Sequence, residues 1–138
     1  MRKNKKMYEN YVCPNCFKQL NKCTCKHLPR DLIHIDVDIQ ECIRVLNKKG
    51  YKTIYCCASH LEAYKKYGFS EIYLGFVNWI DIGNEYPNSF KKDKNKYDNF
   101  IRYHYAKNLS DEEFTNTKNE QLQLLLNWCN SLPVYTNK

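Results

Sequence analysis

The sequence predicts an α+β protein: a two-layer α/β sandwich, with helices on one face of a mostly antiparallel sheet, behind a small cysteine-rich knuckle. Three observations carry this. Amphipathic helical patterns lie ahead of Gly50 and behind Ser110. Between them stand runs rich in β-branched and aromatic residues, the composition of strands. The first thirty residues hold four closely spaced cysteines but few large apolar side chains. Helices that bracket the strands, without strand–helix alternation, fit a layered sandwich.

At 138 residues the chain has single-domain size and can bury roughly two thirds of its unfolded surface, enough for a core without disulfides. The organisation read from it is a knuckle over residues 1–30 and the sandwich over residues 31–138, with Leu28-Pro29 at the boundary. Leu32 to Val37 is a short apolar run, either a strand or the lead-in to a helix. Asp38-Ile39-Gln40-Glu41 has the spacing of a capping box. Ile39, Cys42, Ile43 and Leu46 then fall on one helix face, and Gly50 stands where a left-handed terminating residue belongs. Tyr51 to Cys57 reads as a strand, residues 58–70 as a loop, and Glu71 to Phe76 as a second strand that can run on through Ile82. Gly83 to Lys96 is polar and aperiodic and reads as a loop; Tyr97 to Ala106 reads as a third strand. Ser110-Asp111-Glu112-Glu113 is another capping box. It opens the longest helix, whose apolar face is Phe114, Leu122, Leu125 and Cys129 and which Pro133 ends. Cys42 and Cys129 read as small buried hydrophobes.

The formal charge of +7 comes mostly from Lys rather than Arg. Clustered positive charge attracts phosphate. Yet Arg is the better bidentate reader of phosphate, and abundant Lys, Asn and Tyr is also what an AT-rich coding sequence produces. No segment approaches the roughly 20 apolar residues that cross a bilayer. Met1 to Asn10 is basic and polar with no apolar run behind it, so a cytoplasmic protein without a signal peptide and without membrane contact is expected. Eight cysteines in that compartment point to metal or catalysis rather than a disulfide framework.

Four of the eight have the spacing of a zinc knuckle. Cys13-Pro-Asn-Cys16 and Cys23-Thr-Cys25 are separated by six residues, so two tight turns can bring four sulfurs to tetrahedral corners about 2.3 Å from one Zn²⁺. Lys18, Lys22, Lys26 and Arg30 are near enough in sequence to offset the excess negative charge. His27 is an alternative fourth ligand to Cys25. Full protein ligation leaves no open coordination position, so the expected zinc is structural, ordering a segment that burial alone cannot fold.

The other stretch with chemical content is Tyr55-Cys56-Cys57-Ala58-Ser59-His60, at the end of a strand. A thiol beside an imidazole can serve as nucleophile or metal ligand. The opposing reading puts one of the two cysteines in the core, because neighbours on a strand face opposite sides, and has Ser59 and His60 bonding only the loop backbone. The candidate ligand-binding residues are Tyr55, Cys57, Ser59, His60, Lys65 and Lys66, with positive charge added by the Lys91 to Lys96 run and stacking surfaces by Tyr64, Tyr67 and Tyr97.

Ile35-Asp36, Ile39, Ile43, Leu46-Asn47, Gly50-Tyr51-Lys52-Thr53, the Cys56 to His60 loop and Ile72 to Phe76 together resemble a group of uncharacterised proteins of low-GC Gram-positive bacteria and their phages. Those have an N-terminal cysteine knuckle and a C-x-G-H-like loop. The loop is also distantly similar to the S-C-S-G-R loop of the wybutosine-synthesis methyltransferase-like domain, with Ser59 at the glycine position and His60 at the arginine position. Three functions stand as expectations. The first is a phage-type zinc protein that binds a nucleotide or nucleic acid, sequestering it or inhibiting a host defence. The second is a methyltransferase-like or thiol-dependent enzyme using Cys57 and His60. The third is an adaptor that binds a host protein through the knuckle.

Overall fold

The computed structural model describes residues 10–19, 22–25, 33–77, 86–94 and 99–134. A short ladder joins β1 (Tyr11–Val12) to β2 (Ile33–His34), antiparallel. A 3₁₀ turn over Val37–Ile39 runs directly into α1 (Gln40–Lys48). Then come β3 (Thr53–Cys57), α2 (Leu61–Tyr67), β4 (Glu71–Phe76), β5 (Lys91–Lys94), β6 (Asn99–His104) and α3 (Asp111–Ser131). The larger sheet has the order β3-β4-β6-β5, antiparallel throughout. This is the α+β arrangement that the sequence predicts.

Strand periodicity puts Ile72, Leu74 and Phe76 of β4 on one face, with Ile101 opposite Leu74 on β6. All four are buried. Against them α1 packs Cys42, Ile43 and Leu46, and α3 packs Phe114, Leu125, Trp128 and Cys129. Each such Leu or Ile contributes about 1.5–3 kcal/mol through burial. Val12, fully buried, joins the same core from β1, and the Ile35 N–H donates to the Asn10 carbonyl at 2.6 Å. The cysteine-bearing segment is thus tied to the sandwich by packing as well as by the chain. The boundary at Leu28-Pro29, His27, the extension through Ile82, Lys96 and Tyr97 lie outside the described residues.

On the far face of the sheet Gly75 sits opposite Phe100, whose ring covers it so closely that a Cβ would lie 2.5 Å from a ring carbon. Arg102 stacks over that ring and over Tyr73.

The capping box expected at Asp38 does not form. The chain enters α1 through the 3₁₀ turn with no side-chain cap, and Asp38 pairs instead with Lys118 of α3 at 2.7 Å. The box at Ser110 forms in full: Ser110 Oγ accepts the Glu113 N–H at 3.1 Å, and the Glu113 carboxylate accepts the Ser110 N–H at 3.0 Å. Residues 58–70 are not all loop. Leu61–Tyr67 is helical, buries Tyr64 against Phe114, and ends at Gly68 with φ 81°. A helix of two turns that buries one full side chain shows no readable period. Lys91–Lys94, expected within a loop, is an edge strand; edges tolerate charge, so alternation is absent there.

Gly75→Ala should force the Phe100 ring off its seat and cost about 1–3 kcal/mol, whereas Ser110→Ala should cost about 1 kcal/mol through the lost cap. Both are read from denaturant midpoints.

Candidate functional site

Two clusters of metal-ligating side chains emerge among the described residues. The first is the expected one: the sulfurs of Cys13, Cys16, Cys23 and Cys25 lie within 4.8 Å of one another. Local backbone geometry explains it. Phe17 N–H donates to the Cys13 carbonyl at 2.9 Å, and Cys23 N–H to the Gln19 carbonyl at 3.0 Å, closing the two turns. Phe17 takes a positive φ of 59° to leave the first turn. In both knuckles the amide two residues on points at a sulfur: Asn15 N–H to Cys13 Sγ and Cys25 N–H to Cys23 Sγ, each at 3.3 Å. Such bonds spread thiolate charge. Burial pushes the Cys13 thiol up, but hydrogen bonds from the amides of Cys16 and Asn15 and with the thiols of Cys23 and Cys16 together bring it down to about 7. Burial and the neighbouring thiols push Cys23 up to about 12. Without a cation, the Cys13 thiol ionises readily while Cys23 and Cys25 resist; a bound dication removes that resistance. The four cysteines therefore have the donor set and spacing of a group that could hold a metal ion.

The second cluster is at the end of β3. Cys56 packs against the core. Cys57 takes the opposite face, across from Tyr73, and register continues that row through Arg102 and Lys91. Ala58 and Ser59 turn inward and are buried. Ser59 does so with φ 76°, a conformation that favours glycine. It is held there by a 2.8 Å hydrogen bond between its hydroxyl and that of Tyr105, and by Lys118 Nζ, which donates to its carbonyl at 3.4 Å. Burial pushes the Tyr105 phenol up to about 12, so it remains a neutral hydrogen-bonding group.

Asp36, which the sequence reading did not select, organises this loop. Its Oδ2 accepts the Ala58 N–H at 3.3 Å and lies 3.4 Å from His60 Nε2. Asp36, Cys57 and His60 bring one ligating atom each to within 4.8 Å of the others. Burial raises the Cys57 thiol, and the Asp36 charge adds to the rise. Cys56 is pushed up to about 12 for the same reasons. Neither thiol is primed as a nucleophile on its own.

Of the other expected site residues, Lys66 and Tyr67 reach the same cleft as Ser59 and His60, with Lys66 Nζ 5.3 Å from the centre of the Tyr67 ring. Lys65 does not: it pairs with Asp111 at 3.1 Å, beside a separate cavity with Lys107. Tyr64 cannot offer a stacking face, because it is buried and its hydroxyl donates to the Ala106 carbonyl. Tyr55 lies on β3. Lys91 and Lys92 lie on β5, three strand spacings from β3, about 14 Å away. Lys118 was missed because it comes from the distant α3. Asp36 left a trace in the Ile35-Asp36 pair ahead of the helix, but spacing alone does not connect it to His60.

No family model, curated protein or solved structure matches the chain. No described helix is long and apolar enough to cross a membrane.

Treating the reduced protein with strong chelator should make residues 10–25 cleavable by protease while the larger sheet and α3 persist. Limited proteolysis with mass spectrometry reads the first, and far-UV circular dichroism the second.

Proposed function

We propose that this protein is a small zinc-stabilised α+β binding protein whose ligand is a nucleotide, free or within a single strand, held without turnover in the cleft beside His60. The observation that carries the reading is the cleft itself. It offers about 650 Å³, walled by Ser59, His60, Lys66, Tyr67 and Lys118, a volume in the range of small-molecule sites. Lys66 and Tyr67, both exposed, set a cation beside an aromatic face, the pairing that takes a phosphate and a base together. Lys118 is already neutralised by Asp38 and His60 faces the Asp36 carboxylate, so Lys66 is the cation to which an anion turns.

Zinc is the metal we assign to the four-cysteine cluster, because four thiolates suit a soft-to-borderline dication with tetrahedral preference. With all four positions filled by protein, its role is structural. The raised thiol of Cys57 favours binding over covalent catalysis. On the resemblance to phage-type proteins, the role we propose is sequestration of the ligand.

Titration of a labelled purine nucleoside triphosphate and of a short labelled single strand, followed by fluorescence anisotropy, tests the reading. Affinity for at least one should fall steeply as salt rises, and Tyr67→Ala should weaken it by about fivefold or more. Lys66→Ala should weaken it and flatten the salt dependence. Absence of binding to both probes, or binding that ignores both substitutions, overturns it.

A further inference from the structure

We propose that Asp36, Cys57 and His60 form a second metal site, for a divalent transition ion of the zinc class, distinct from the four-cysteine cluster. The donors are one carboxylate oxygen, one sulfur and one imidazole nitrogen, drawn together from the segment before α1, the end of β3 and the start of α2. Tetrahedral ligation at about 2.0–2.3 Å puts ligand atoms roughly 3.3–3.8 Å apart, and His60 Nε2 stands 3.4 Å from Asp36 Oδ2. Carboxylate and thiolate together neutralise a dication, while the imidazole coordinates as a neutral ligand. The mixed oxygen, nitrogen and sulfur set suits zinc better than the all-oxygen preference of calcium or magnesium.

The surroundings are those of a supported site. Ser59 N–H points at Cys57 Sγ at 3.4 Å, the same residue-plus-two amide-to-sulfur turn that Cys13 and Cys23 make in the first cluster. Ala58 N–H fixes the Asp36 carboxylate, and the Tyr105 hydroxyl fixes Ser59, whose left-handed backbone makes the turn. Outer hydrogen bonds of this kind orient ligands. His60 does not spend its side chain on capping α2, and it is 59% exposed. Three protein ligands leave one tetrahedral position open to water or an anionic oxygen, unlike the closed four-sulfur cluster. The inference goes beyond nucleotide binding and does not rest on it.

The test uses the full chain, reduced and stripped, and Co²⁺ as the probe. Metal per chain and the sulfur-to-cobalt charge-transfer absorption are followed in titration. Two equivalents are expected in the wild type. Asp36→Asn, which keeps an acceptor for Ala58, and His60→Ala, a change at a mostly exposed side chain, should each abolish one equivalent and leave the four-sulfur absorption intact. Cys16→Ser should do the converse, so failure of the first cluster is read separately. An equivalent that vanishes in both Asp36→Asn and His60→Ala supports the site even if the wild type binds only one ion. Metal uptake unchanged in those two variants overturns it.

Discussion

Ile43 and Leu46 from α1, and Leu125 and Cys129 from α3, reach the sheet and meet Ile72, Leu74 and Ile101 there. Where that contact leaves the neighbouring backbone decides where the polar groups stand. Because α1 must lay its apolar stripe on the sheet, the residues just ahead of it, Asp36 among them, are delivered to the end of β3. Because α3 lies alongside, Lys118 arrives at Asp38 and the Ser59 carbonyl. Val12 inserts into the same layer and carries the cysteine-bearing segment with it. The apolar layer itself has no chemistry, but it sets the relative positions of three segments that do.

Within the loop after β3, the arrangement depends on a residue bent against its preference. An L-residue at φ 76° sits in a region where glycine meets no penalty, and such a conformation costs of order 1–3 kcal/mol. The hydrogen bond to Tyr105 and the burial of Ser59 hold it. The turn lets Cys57 and His60 face the same carboxylate, whereas extended backbone would have sent them apart.

Much of this was legible in the residues. The four-cysteine spacing, the apolar stripe of α1, the Ser110 capping box and the strand at Glu71–Phe76 are local patterns whose physics acts within a few residues. The departures have one cause. Asp38 looked like a cap because Glu41 stands at the right interval, yet a lysine from α3 claimed it. α2 and β5 escaped notice because a short helix and an edge strand need little apolar periodicity to be stable once a neighbour covers them. The carboxylate that faces His60, Asp36, comes from another segment, so no local spacing announces the pair. Lys65 and Lys66 are adjacent in sequence and serve different cavities, since neighbouring helical positions point about 100° apart.

The strand β5 closes one side of the sheet with the sequence Lys91-Lys92-Asp93-Lys94. Among the described strands it pairs with β6 alone, and a sheet edge is a template onto which another chain can add. A stretch so crowded with like charge repels any copy of itself approaching in register. At the opposite border, β3 carries a bulge between Thr53 and Cys56, which breaks the flat ladder an incoming strand would need. Among the described strands the two outer margins are thus guarded by different means, repulsion on one side and irregularity on the other, against growth into an extended β-assembly.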